Sequence, residues 1–403
     1  MPAYADDHVG PLGSSVPAFP QRKVRPSVPP AAAARDGRSS HLAKPGRAPR
    51  QGSAHPRRQV LPASPGTRRP TMRDVATKAG VSLKSVSRVV NKEPGVSPSL
   101  LERVRRAIDE LGFHPNVGAS SLRRADGKTA TVGLLLEDIA NPYFSAVQRA
   151  VEDVAVPRGV MVFAVSHDSE ARREAALSRA LITRRVDGLI LVPAGEDQSH
   201  LAAEMRAGTA VVCVDRQCAG LDADSVITTD ETGTAEGVRH LLDVGHRRIA
   251  FLGPRGVLPT CRSRRRGYTG ALAAQGIGAD PGLVLTDLSS TAAADGAVSA
   301  LLDRPSPPTA LFVAQNLLTI GAIRALRRRG LENSVALVGF DDFPLADLLS
   351  PGVTVVAQDP TASGRTAAEV LFRRLAGDTS PAGVHVVPTT LVRRGSGEIP
   401  PPA

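Results

Sequence analysis

Apolar positions in this chain follow two different periods, and a leading segment follows neither. From residue 71 to about 111 they recur every three or four residues, the spacing of short amphipathic helices, while beyond about Thr129 compact apolar runs alternate with helical stretches. In the first region Thr71 followed by Asp74 marks a helix start, Val75, Ala76 and Ala79 supply a narrow apolar stripe, and Gly80 supplies the turn that ends it. Ser82 then caps a second helix. Within it Val86, Val89 and Val90 share one face, while Lys84, Ser87, Arg88 and Asn91 fall at i, i+3, i+4 and i+7 on the other. Ser97-Pro98, a cap followed by proline at the first helical position, opens a third helix with Leu101, Val104, Ile108 and Leu111 at helical spacing. Three such helices can share one core.

The second region contains the runs TVGLLLED, VMVFAVS, DGLILVP, AVVCVD, RRIAFLG, LVLTD, TALFVAQN, VALVGFDD and VTVVAQD, separated by amphipathic stretches such as SAVQRAVEDVAV, EAALSRALITRRV and TIGAIRALRRRG. Near-continuous apolar strands separated by helices predict parallel sheet buried on both faces, an α/β architecture. The region is long enough for two such sheets. Ligands of such folds sit in the loops at the carboxyl ends of the strands.

At 403 residues the chain has room for two or three domains with their own cores. Its net charge of +11 is unevenly placed: residues 1–70 hold twelve Lys/Arg against three Asp/Glu, residues 71–125 hold ten against five, and residues 126–403 carry −3. Basic segments joined to a near-neutral remainder point to a polyanion partner at one end, nucleic acid first. Residues 1–70, with PPAAAARDGRSS and HPRRQVLPASPGTRRP, bury too little apolar surface to offset ordering and are expected to be a disordered basic extension. Its arginines add non-specific DNA affinity, or it is a solvated tail or a reading frame opened too far upstream. Three cysteines, Cys213, Cys218 and Cys261, give neither a disulfide framework nor a metal-ligand spacing and fit a reducing cytoplasm. No run approaches the roughly eighteen apolar residues of a membrane span, and the start lacks the order of a signal peptide, so a soluble protein without a membrane partner is expected.

A capped helix pair with a tight Gly-containing turn and an outward polar face is what a helix-turn-helix requires. Its second helix would enter the major groove, where Lys84 and Arg88 donate to guanine edges or to phosphate, and Thr71, Ser82 and Ser87 bind phosphates from helix starts. Arg88 is the best single candidate for base readout. The ordinary alternative, a merely solvated helix face, loses weight beside the capping signals and the local positive charge.

The block TMRDVATKAGVSLKSVSRVVNKEPGVS, continued by LLERVRRAIDELGFHPNVGASSLRR, resembles the DNA-binding head of the LacI/GalR family of bacterial transcription regulators. The resemblance runs to about Gly395 through NPYF, DGLILVP, CVDR, GHRRIAFLGP, RRRGY and LVGFDD in the family order. It implies that Leu83, Lys84 and Arg88 read bases, that Thr71, Ser82, Ser87 and Asn91 contact phosphates, and that residues 116–124 form a hinge helix whose Leu122 wedges into the minor groove. So short a helix is unstable alone and should order only on operator; Gly118 departs from the pattern and adds up to about 1 kcal/mol against it.

For the core the resemblance implies a periplasmic-binding-protein-like fold, two doubly wound subdomains with an effector between them. Tyr143 and Phe144 would form an apolar wall and Asp215, Arg264, Gln315 and Asp341 polar contacts, with Leu288 where several family members present an aromatic ring. Each has a competing role: core packing for Tyr143 and Phe144, strand-end capping for Asp215 and Asp341, a surface ion pair for Arg264. Gln315-Asn316 replaces the frequent Asn-Asp of the family, and with Leu288 this makes a nucleoside-like or other small polar metabolite an alternative to a sugar.

The expected organisation is an extension (1–70), an all-α helix-turn-helix head (71–115), a hinge and linker (116–126) and an effector-binding and dimerisation core (127–397). The expected function is a repressor of a catabolic operon, without cofactor or metal, acting in the bacterial cytoplasm. It would bind palindromic double-stranded operator DNA as a homodimer, or a higher assembly of it, under a small-molecule effector. Two other classes are a metabolite-binding protein without a DNA role and a nucleotide-dependent α/β enzyme. No G-x-G-x-x-G or Walker loop follows the first core strand, and His246 reads as a turn or helix-end residue rather than a general base.

Overall fold

The structure, a computed structural model, describes residues 68–91, 93–114 and 128–402. The expected hinge, with Gly118 and Leu122, and nearly all of the basic extension lie outside the described residues.

The head is built from three capped helices. α1 (Met72–Ala79) opens on a reciprocal capping box: the Asp74 amide donates to the Thr71 hydroxyl at 3.4 Å and the Thr71 amide to the Asp74 carboxylate at 2.7 Å. It ends at Gly80, whose φ of 64° lies in the left-handed region that a residue without Cβ enters freely. α2 (Leu83–Val90) starts where the Ser85 amide reaches the Ser82 hydroxyl at 3.1 Å, and α3 (Pro98–Leu111) starts at Ser97-Pro98. The three meet over Val75, Val86, Val89, Val104, Ala107 and Phe113, with Val90, Leu101, Ile108 and Leu111 packed around them. A fully buried valine contributes roughly 1.5–3 kcal/mol against about 1 for a typical cap, so the apolar stripe rather than helix propensity holds these short helices.

The core contains two six-stranded sheets. The first comprises β1 (Thr131–Leu136), β2 (Met161–Ser166), β3 (Gly188–Leu191), β4 (Ala210–Val214), β5 (Asp224–Thr228) and β11 (Val384–Val387), in the order β11-β5-β4-β3-β1-β2. The second comprises β6 (Ile249–Leu252), β7 (Val284–Leu285), β8 (Ala310–Val313), β9 (Ala336–Phe340), β10 (Thr354–Ala357) and β12 (Thr390–Val392), in the matching order β12-β10-β9-β8-β6-β7. All pairings are parallel except β10 with β12. The chain passes between the sheets after β5, β10 and β11, so each subdomain is assembled from separate stretches of sequence. Helices α4 (Pro142–Ala155), α5 (Ala171–Thr183), α6 (Ala202–Arg206) and α11 (Pro360–Leu375) cover the first sheet; α7 (Asp230–Val244), α8 (Pro259–Ala274), α9 (Thr291–Leu302) and α10 (Asn316–Arg328) cover the second.

All nine apolar runs appear as strands, whereas β5, β11 and β12 carried no such signal. β5 has only Val226 and Ile227 as large apolar residues, and β11 and β12 are edge strands, with Val384 and Val386 exposed. One close approach matters for the site. α7 and α8 touch at Gly267, where a Cβ would overlap the Glu231 carbonyl, and this contact brings the start of α7 against the middle of α8.

Candidate DNA-recognition surface and effector cleft

On α2 the buried face is Val86 and Val89, which leaves Leu83, Lys84 and Asn91 exposed and Ser87 and Arg88 half-buried. Leu83 is 43 % exposed, as single apolar side chains on a protein surface commonly are. Arg88 is not a free groove-reading group in this state. Its guanidinium donates to the Pro94 and Gly95 carbonyls at 3.2 and 3.4 Å and pairs with Glu93 at 3.4 Å. Thr71 and Ser82 spend their hydroxyls on helix caps, and Asn91 donates to the Ser87 hydroxyl at 3.3 Å. The predicted residues therefore lie on one head, but Lys84 alone among the cations of α2 is unpaired among the described residues.

The cleft is organised by two equivalent strand ends. β4 runs into Asp215 and β9 into Asp341, both at positive φ (72° and 68°), and both donate their backbone N–H across to the neighbouring strand, to Val226 O at 2.8 Å and Val356 O at 2.9 Å. Aspartate tolerates this left-handed conformation better than most residues. Arg264, from α8, is buried between carboxylates: its Nε donates to Asp230 at the start of α7 at 2.7 Å, and its Nη1 lies 3.8 Å from Asp341. It also donates to Ala314 O at 2.8 Å and stacks 3.8 Å over the Phe340 ring. Gln358 completes the second half by donating to Asp341.

Burial would weaken the hold of Arg264 on its proton, but Asp230, Asp341 and Asp215 outweigh that and raise its pKa. Burial also dominates at Asp230 and Asp341, whose pKa values rise despite Arg264. Asp215 differs in having no hydrogen-bond donor among the described residues. Arg216 Nε stands 3.2 Å away but out of hydrogen-bonding angle, because that guanidinium is committed to Glu137 and to Pro193 O. Burial accordingly pushes Asp215 up to about 7, against the attraction of Arg216 and Arg264. Tyr143 is held protonated by burial and by Asp215 and Asp341, and its hydroxyl has no partner in hydrogen-bonding geometry, although the Ser363 hydroxyl acts weakly on it.

Asp215, Arg216, Thr228, Asp230, Thr260 and Ser263 line a cavity of about 430 Å³ at the carboxyl ends of β4 and β5 and the starts of α7 and α8. Across the cleft Asn141 and Asn316 exchange side-chain hydrogen bonds at 3.1 and 2.8 Å, Arg255 donates to Ser169 O at 2.7 Å, and Arg262 pairs with Glu196 at 2.6 Å. The two subdomains are latched to each other directly.

The structure brings Tyr143, Asp215, Arg264 and Asp341 into one electrostatic group, with Gln315 beside Ala314 at the start of α10 and its side chain unbonded among the described residues. Two predicted residues pack instead. Phe144 is buried in the core of the first subdomain, edge-on to Tyr143, and Leu288 lies half-buried against the apolar cluster of the second, where its aliphatic side chain is held by Leu and Val neighbours. Arg264, offered as a possible surface ion pair, is a buried one. Cys213 and Cys218 are joined, their Cα atoms 5.8 Å apart, contrary to the expectation of no disulfide; spacing along the sequence does not reveal that the loop after β4 doubles back. His246, buried after the Gly245 helix end, bonds Thr309 at 2.9 Å and Ile399 O at 2.8 Å and pins the C-terminal segment. Sequence reasoning missed Glu137, Arg216, Asp230 and Gln358. Arg216 lay in the quoted CVDR, but nothing local shows which carboxylate it meets. Among the described residues no three His, Cys, Asp or Glu side chains group to hold a metal, and no helix is long and apolar enough to cross a membrane.

A capped three-helix head and a two-sheet core with a charged cleft define a ligand-responsive, DNA-binding regulator. Residues 71–116 match the family described as bacterial regulatory proteins, lacI family, and residues 238–397 match the periplasmic binding protein-like domain. The chain is 30 % identical to the transcriptional regulator GalR of Escherichia coli (strain K12) over 332 residues, 82 % of this chain and 96 % of that protein. It is 29 % identical to the transcriptional repressor CytR of the same strain over 328 residues, 81 % of this chain and 96 % of that one. The crystal structure of the lac repressor dimer bound to operator and the anti-inducer ONPF shares 27 % identity at a TM-score of 0.70, covering 82 % of this chain and 99 % of that one. The chain belongs to the LacI family of bacterial transcription regulators, which bind operator DNA as dimers and respond to small-molecule effectors such as sugars.

Proposed function

We propose that this chain represses a catabolic operon by binding a palindromic operator as a homodimer, with Leu83, Lys84 and Arg88 reading bases, Thr71, Ser82, Ser87 and Asn91 on phosphates and Leu122 at the minor groove. It acts in the cytoplasm, as a regulator and not an enzyme. The effector occupies the cleft against Tyr143, Asp215, Arg264, Gln315 and Asp341, while Phe144 and Leu288 serve as packing. The observation that carries this reading is Asp215, 5 % exposed at the edge of the 430 Å³ cavity, paired in charge with Arg216 but without a hydrogen-bond donor among the described residues, since a buried carboxylate is hydrogen-bonded in nearly every folded protein. A ligand donor completes it.

The charge of the cleft narrows the ligand. Among the described residues Glu137, Asp215, Asp230 and Asp341 share two arginine partners, Arg216 and Arg264, so a phosphate or carboxylate ligand would add to an existing excess of acidic groups. The effector is an uncharged, hydroxyl-bearing molecule, a sugar or a nucleoside-like metabolite without phosphate. DNA binding by α2 requires Arg88 to leave Pro94, Gly95 and Glu93 and reach the groove.

A footprint on the gene's own upstream region and neighbouring operons, repeated with neutral sugars, nucleosides and their phosphorylated forms, tests both halves. Lys84→Ala or Arg88→Ala should then lower discrimination between the protected site and random DNA by roughly 1–3 kcal/mol, and Leu122→Ala should reduce bending at its centre. Unchanged specificity in both cationic variants would remove the recognition face. Release by phosphorylated compounds alone would overturn the assignment of a neutral ligand.

A further inference from the structure

The cysteine pair stands next to the cleft and has no part in the reading above. Cys213 closes β4 and Cys218 lies in the following loop; between them the chain carries Asp215, Arg216 and Gln217, which line the cavity. The bond thus bridges the base of the segment that carries Asp215 and its ion-pair neighbour Arg216. Cys213 is fully buried in the apolar cluster of β1, β3 and β4, whereas Cys218 is only partly buried against it. A bond five residues apart closes a short loop and constrains the unfolded chain less than a long-range one would. Regulators that bind DNA work among reduced thiols, where disulfides that form are mostly transient or redox-sensing.

We propose that Cys213 and Cys218 are a redox modification site, a reversible dithiol–disulfide pair whose oxidant is a low-molecular-weight disulfide and whose state fixes or frees the Asp215–Arg216 loop. The Cys218 thiolate attacks one sulfur of the small disulfide, forming a mixed disulfide and releasing one thiol. The Cys213 thiolate then attacks the Cys218 sulfur and releases the second. The protein loses two electrons and two protons, and the small disulfide becomes two thiols. The consequence for effector binding rests on the cleft reading above; the site itself does not.

The experiment uses the full chain in glutathione disulfide/glutathione buffers, with thiols counted by maleimide mass labelling after denaturation and backbone hydrogen exchange followed across residues 213–219. Of the three cysteines, the reduced protein should label three and the oxidised protein only Cys261. Exchange at residues 215–217 should slow about tenfold on oxidation. Cys218→Ser, on the partly exposed loop, should label two in either buffer and lose the redox-dependent exchange. Three labels at every ratio, one label at every ratio, or equal exchange in both states would each overturn the proposal. None of these outcomes involves a ligand, so they leave the effector reading standing or falling by its own footprint.

Discussion

The two halves of the cleft use one backbone device and finish it differently. At Asp341 the residue two positions beyond the strand acceptor Val356 is Gln358, long enough to donate to the carboxylate, and Arg264 approaches from α8. At Asp215 the matching residue, two beyond Val226, is Thr228, whose shorter side chain leaves its own hydroxyl buried and unbonded as well. The second half holds its carboxylate with Gln358 and Arg264, although the Gln358 Oε1 is itself left without a partner; the first leaves Asp215 without a hydrogen-bond donor and the Thr228 hydroxyl unbonded among the described residues, beside the cavity. Pseudo-symmetric strands thus supply equivalent carboxylates, and the neighbouring strand decides which one meets an effector already held by a protein donor and which meets it with none. Side-chain reach does the deciding.

The largest effect should come from breaking the closed half. Arg264→Ala strands Asp230 and Asp341 together in a buried site, and removing one partner from such a pair typically costs about 3–5 kcal/mol. Chemical denaturation measures it. A loss under about 1 kcal/mol would mean that these carboxylates take up protons without penalty.

The open half should show itself through pH. The folded-state pKa of Asp215, about 7 against an ordinary 3.8, means that the folded protein holds a proton the unfolded chain releases. The part of the stability that Asp215 supplies should therefore be full below about pH 4, fall as pH rises to about 7 and stay lost above, by at most about 4 kcal/mol at 1.36 per unit. Asp215→Asn should flatten its part of this slope and stabilise the protein above pH 7. Thr228→Gln should act in the same direction by placing a donor where Gln358 stands in the other half, while filling the cavity. If Asp215→Asn leaves the pH profile unchanged, the two carboxylates are alike and the contrast fails.

Most of the fold was legible because its signals are local. Caps at Thr71, Ser82 and Ser97 and the valine stripe of α2 fix the head within a few residues, and strands buried on both faces announce themselves as apolar runs. β5, β11 and β12 escaped because pairing at or near a sheet edge demands little hydrophobicity. In the cleft, Asp215, Arg264 and Asp341 were reachable through motif resemblance, but their partners are not neighbours in sequence: Asp230 is brought to Arg264 by the close contact at Gly267, and Glu137 to Arg216 by adjacency of strand ends. The contacts that Arg88 makes in this state were hidden for the opposite reason. Its partners Glu93, Pro94 and Gly95 are close in sequence, yet nothing in their identity shows that the turn folds back onto α2.

The smallest effect concerns how the halves are joined. Asn141 and Asn316 exchange two hydrogen bonds across the cleft, but each also serves its own helix: Asn141 accepts from the Tyr143 amide at 3.0 Å and Asn316 from the Leu317 amide at 2.7 Å. Either substitution to alanine therefore mixes a lost cap with a lost latch and leaves a buried amide unpaired, for about 1–3 kcal/mol. The double variant separates the terms, because capping costs add while the cross-cleft pair is lost only once. A coupling of about 1 kcal/mol is expected in a double-mutant cycle on stability without ligand. Because effectors act only by binding the two poses unequally, freeing this latch should also lower the population of the closed pose before any ligand is present. Small-angle scattering of Asn316→Ala against the parent reads that population. A zero coupling together with unchanged scattering would assign the joining of the halves to Arg255 and Arg262 instead, and would make the contrast between Asp215 and Asp341 a matter within each subdomain rather than between them.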